Sequence, residues 1–136
     1  MTKTAKARQA ETKPVAAPYT PTPKEDKAIQ ALSYRRAEKH PAPRIKVTHT
    51  KGKPAQIASD HPDPITGGQL LMAALGTTSH DFAYGLLDQL AHAAGKGAQA
   101  DEHGINFMLA VIAGIEPRDE IEAMLAAQMA AVHRAP

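Results

Sequence analysis

A chain of 136 residues with 16 Lys and Arg, 14 Asp and Glu and no cysteine has the length of one ordinary domain. Without cysteine, disulfides, thiolate catalysis and cysteine-ligated zinc or iron–sulfur centres are excluded. The near-neutral total hides two opposed parts: residues 1–56 hold 13 basic against 4 acidic side chains, a formal +9, and residues 57–136 hold 3 against 10, a formal −7.

Nine of the eleven prolines lie at or before Pro64, so only the later part is free to build helices of useful length. Residues 1–24 offer Val15 and Tyr19 as their sizeable apolar groups, too few to offset the entropy of ordering a backbone, and read as disordered. The stretch 25–39 has acids early, bases late and a narrow apolar face of Ala28, Ile29 and Leu32, the composition of a short helix that is marginal alone. Ile45 and Val47 alternate with Lys46 and Thr48 as a strand would, but a lone strand has no ladder partner, and the segment reads as extended linker. Residues 1–64 together are expected to form a disordered basic arm.

From Thr66 the pattern changes to helical spacing. Thr66 and Gln69 suggest a capping box before a helix over 67–75, weakened at its start by Gly67 and Gly68 and ended by Gly76. Thr78 with Asp81 opens a second helix over 79–94, with Phe82, Leu86, Leu87, Leu90 and Ala94 on one face. A third, over 102–113, is apolar nearly all round and is expected at the centre. The fourth, over 117–133, has Pro117 at its first position, acids in its first turn and His133 and Arg134 in its last. The expected fold is all-α: a small irregular or orthogonal four-helix bundle over 66–133.

The fourth helix has two unlike faces. Ile121, Met124, Leu125, Gln128, Met129 and Val132 span an arc of about 140°, the width of a core-facing stripe. On the opposite face Ala123, Ala126, Ala127 and Ala130 stand where solvent usually meets Lys and Glu, a pattern that reflects either helix propensity or the close approach of a second helix. With Met124 and Met129 at their borders, these alanines form the candidate self-association or partner face, which makes the chain a candidate homo-oligomer.

Chemistry is sparse. Ser79, His80 and Asp81 are neighbours on one helical turn, pointing about 100° apart, and cannot relay a proton as a triad does. There is no Gly-x-Ser-x-Gly elbow, and the GKG at 95–97 and TGG at 66–68 lack the partners of a phosphate loop. Asp88 with His92, and the run Asp101, Glu102 and His103, offer metal-ligand types, and His80 is a further candidate. No Glu-x-x-His or His-Glu-x-x-His spacing supports them, and an ion pair with solvent histidines accounts for the same residues. The reading is therefore no enzyme, no cofactor and no metal. Arg35, Arg36, Lys39, Arg44, Lys46, Lys51 and Lys53 are candidate phosphate contacts for non-specific nucleic-acid binding, with only Tyr19 and Tyr34 as stacking groups. No apolar run suits a secretory signal or a membrane span, so a cytoplasmic protein without membrane contact is expected.

The blocks DFAYGLLDQL, residues 81–90, and DEHGINFMLAVIAGIEPRDEIEAMLAAQMAAVH, residues 101–133, resemble a family of small, uncharacterised bacterial proteins. The resemblance covers about half the chain and implies no activity, cofactor or catalytic residue. It also implies that relatives continue past the position of His133 into further helix, so that this chain is a short or truncated form whose alanine face lacks its usual cover. The functional expectation is a non-enzymatic interaction or assembly module, with a nucleic-acid-associated accessory protein as the alternative.

Overall fold

The computed structural model describes residues 17–95 and 101–134; of the stretch 1–24 expected to be disordered, residues 1–16 lie outside them, whereas 17–24 lead into a capped helix. Two compact units divide the chain, Met1–Lys39 and His40–Pro136.

The first unit contains α1 (Pro23–Glu38), two residues longer at its start than the sequence suggested. Thr22 caps it, its side chain accepting from the Glu25 N–H at 3.2 Å while the Glu25 carboxylate accepts from the Thr22 N–H at 3.0 Å. This reciprocal pair satisfies two of the donors that a helix start leaves open, and Pro23 has no N–H to satisfy. Tyr19 closes over the cap, donating its hydroxyl to Glu25 at 2.7 Å. No residue of α1 is buried, so local capping and charge order, not packing, specify this helix.

The second unit begins with a hairpin that the sequence reading missed. β1 (Ile45–Thr48) pairs antiparallel with β2 (Gln56–Ser59), Ile45 opposite Ser59 and Val47 opposite Ile57. The bond from the Asp60 N–H to the Arg44 carbonyl, 2.8 Å, carries the pairing one step further. Residues 40–64 are thus part of a folded unit, not of a disordered arm, and the fold is mostly helical with a two-stranded sheet in place of all-α.

Four helices follow: α2 (Pro64–Ala74), α3 (His80–Ala94), α4 (Glu102–Ile115) and α5 (Glu120–Arg134). The cap of α2 is Asp63, three residues upstream of the expected Thr66, and Thr66 instead donates its N–H and hydroxyl to the Asp63 carboxylate. Ser79, not Thr78, caps α3, accepting from the Phe82 N–H at 3.1 Å. Pro117 does not open α5 but is buried in the turn before it, where Gly76, at φ +65, lies so close that a Cβ would come within 2.2 Å of the Pro117 carbonyl oxygen.

The arrangement departs from a simple four-helix bundle. α3, α4 and α5 pack on one another, whereas α2 packs on α3 and β2, and β1 packs on α4. Leu75, Leu90, Ile105, Met108, Leu109 and Ile112 are fully buried at the centre, with Leu71 from α2 and Ile45 from the hairpin reaching the same core. The position of α4 agrees with its nearly all-round apolar sequence.

Candidate interaction surface

The hairpin is seated by side chains that imitate a third strand. Asn106 on α4 accepts from the Ile45 N–H at 2.9 Å and donates to the Ile45 carbonyl at 3.1 Å, and Glu102 accepts from the Val47 N–H at 2.7 Å. The outer edge of β1 is thereby bonded along Ile45 and Val47, which removes the open donors that make a strand edge adhesive.

α5 is fixed at both ends. At its start the buried Thr77 donates its hydroxyl to Glu120 at 2.9 Å and accepts from the Ser79 N–H at 3.0 Å. At its end the half-buried Arg134 guanidinium meets the Asp101 carboxylate at 3.1 Å. Glu120 and Arg134 both sit on the alanine side of the helix, so these contacts set its rotation about its axis.

That rotation reverses the expected orientation. Ala123, Ala126, Ala127 and Ala130 are buried, between 0 and 7% exposed, while Ile121, Met124, Leu125, Met129 and Val132 are 46–75% exposed. The second helix that approaches the alanines is supplied by the chain itself, in α3 and α4. Gly104 of α4 shows how close that approach is, since a Cβ there would lie 2.9 Å from the Arg134 guanidinium carbon. Large side chains on the inner face would force the helices apart, and the space between them is already filled by Ile105, Met108, Leu109 and Ile112. Of the six residues read as a partner face, only Met124 and Met129 remain open.

The open stripe has borders. On one side, toward α3, a groove of about 350 Å³ runs over Met108 between Leu86 and Leu90 and the α5 residues Met124 and Gln128. On the other, Phe107 of α4 stacks on His133 with ring centroids 5.9 Å apart. Arg118 and Glu122 mark its acidic end, where Glu122 accepts from the Arg118 N–H at 2.7 Å and its carboxylate lies 3.4 Å from the Arg118 guanidinium.

The remaining candidate residues are dispersed. Arg35 and Arg36 are in the last turn of α1 and Lys39 is its C-cap, all in the first unit; Arg44, Lys46, Lys51 and Lys53 are exposed on the hairpin in the second. Ser79 is engaged as a cap, and His80 stacks on Tyr84 at 6.2 Å. The His92 ring nitrogen Nδ1 lies 2.8 Å from the Asp88 carbonyl oxygen and 3.9 Å from its carboxylate, and Asp101 is held by Arg134. Among the described residues no three metal-ligating side chains converge, and no helix is long and apolar enough to cross a membrane.

Comparison of the chain with protein-family models, with curated proteins and with solved structures gave no match in any of the three. None of the three supplies a family for residues 81–90 or 101–133.

Proposed function

We propose that this chain is a non-enzymatic interaction module whose working surface is the outward face of α5. One observation carries the reading: five large apolar side chains point to solvent from a helix that buries its alanines. Single exposed leucines are ordinary, but a contiguous apolar stripe is characteristic of a contact site. The test is affinity capture from a native extract with the wild type and with the double variant Leu125→Glu, Met129→Glu. Both positions are more than half exposed, so the variant should fold as the wild type does and lose a stoichiometric companion or its own self-association. Identical companions and identical sedimentation for both would refute the reading.

A second reading, non-specific nucleic-acid binding, is favoured by the exposed Tyr34 beside Arg35 and Arg36 on α1, a stacking group next to two phosphate-binding cations. It requires that a single-stranded oligonucleotide shift, steeply weakened by salt, be lost in Arg35→Ala, Arg36→Ala.

A further inference from the structure

Resting on the first of these readings, we infer that the surface on α5 takes a second copy of this chain, its α5 antiparallel to the first about a two-fold axis that crosses the outward stripe between Leu125 and Gln128. Three features support this partner. The first is area: the five side chains are 46–75% exposed, so covering them completely in a pair removes at most roughly 1,200 Å² in all, the low end of stable specific interfaces. The second is the symmetry of the stripe. Ile121 and Val132 bound it with similar branched shapes, Leu125 and Met129 fill its middle, and Gln128 lies close to the midpoint. Reversing the helix about that midpoint places Ile121 against Val132 of the second copy and Leu125 against its Gln128 and Met129, so the patch is complementary to itself, as a two-fold interface demands.

The third feature is charge. Glu122 and His133 lie on the same edge of the stripe at opposite ends, about 20° apart around the helix. An antiparallel pair brings Glu122 of each copy to His133 of the other, the two charged groups of the terminal turns that border the outward stripe. A parallel pair would set acid against acid and base against base. A heterologous partner would not need this self-complementary order.

The natural absence of cysteine makes the register directly testable in the full chain. Helices in contact run about 8–10 Å apart, within reach of a short bis-maleimide. Gln128→Cys should therefore be linked to its own copy in high yield. Val132→Cys alone should not be, because the two positions lie about 16 Å apart along an antiparallel pair, but a mixture of Val132→Cys with Ile121→Cys should give the mixed dimer. Sedimentation equilibrium of the wild type should report a dimer whose dissociation constant rises at least about 100-fold in Leu125→Glu, Met129→Glu.

Val132→Cys linking to itself would overturn the antiparallel pairing. A wild type that is monomeric at about 100 µM, where even weak specific dimers are populated, would overturn the second copy. In that case, loss of a captured companion by the double variant would leave the interaction surface standing with a different occupant, and unchanged capture would remove both readings. A dimer indifferent to the double variant would place its interface elsewhere.

Discussion

Glycines in this chain differ in what they permit, and the difference can be measured. At Gly76 the backbone is left-handed and a Cβ would meet the Pro117 carbonyl at 2.2 Å, so Gly76→Ala should cost about 2 kcal/mol or more, through strain and displacement of the turn before α5. Gly85 in the exposed middle of α3 has nothing within 4 Å of where a Cβ would stand. Gly85→Ala should therefore stabilise the fold by about 0.5–1 kcal/mol, since glycine carries the larger entropy loss in a helix. Urea titration of the two variants should give midpoints on opposite sides of the wild type. Carboxylates supply a second residue-scale expectation. Hydrogen bonds from the Thr66 side chain and backbone hold Asp63 below the usual carboxylate range, and bonds from the Thr22 backbone and the Tyr19 hydroxyl do the same for Glu25. A carboxyl depressed on folding stabilises above its unfolded value and loses that contribution as pH falls through its folded one. The starts of α1 and α2 should thus fray when the pH is lowered beneath the ordinary carboxylate range. Amide exchange at Glu25 and Thr66 would detect this, and Asp63→Asn should remove the acid dependence at Thr66 while keeping a cap.

Elements were legible in the sequence to the extent that their determinants are local. α3 and α4 follow their apolar spacing to within one or two residues, and α1 follows its charge order although it buries nothing and opens at a Thr22 cap that the sequence reading did not name. The hairpin was not legible because its stabilising partners are remote: β2 is the unremarkable Gln56-Ile57-Ala58-Ser59, and the edge of β1 is completed by Asn106, 61 residues from Ile45. Nothing near Ile45 announces that bond. Gly67, which with Gly68 looks like a weak helix start, is required by packing instead, because a Cβ on it would lie 2.8 Å from that of Ser59 on β2. The orientation of α5 was misread for a further reason. Large apolar residues were assigned to the core by size, whereas close packing on a glycine-bearing neighbour and anchors at Thr77 and Asp101 select the small face. The alanine spacing carried the right signal, a helix at close approach, and only its owner was wrong. A test of the remote bond follows at this scale: Asn106→Ala should leave the Ile45 N–H and carbonyl without partners and cost about 1–3 kcal/mol. Exchange of the Ile45 and Val47 amides should accelerate ahead of those in α3, which keeps its own ladder.

At the scale of the whole molecule, the structural boundary at His40 redraws the charge map. Residues 1–39 hold 9 basic against 4 acidic side chains and residues 40–136 hold 7 against 10, so the hairpin moderates the acidity of the unit it joins. The second unit is small, and its last helix brings mainly alanines to the core, each contributing little buried area. Its larger side chains can add to stability only when something covers them, and covering them couples folding to association. That coupling has a signature independent of any cross-link. If native chains pair through α5, the unfolding equilibrium consumes one dimer and yields two chains, and each tenfold rise in concentration adds about 1.4 kcal/mol per dimer. With an m-value of a few kcal/mol/M for the pair, the urea midpoint should climb by about 0.5 M for each tenfold rise in concentration. Leu125→Glu, Met129→Glu should abolish the climb and leave the midpoint where the wild type stands at its most dilute, because neither side chain contributes to the monomer core. A midpoint that stays constant with concentration in the wild type would mean that α5 presents its stripe to solvent in the stable native state, and the self-association of this helix would have to be abandoned.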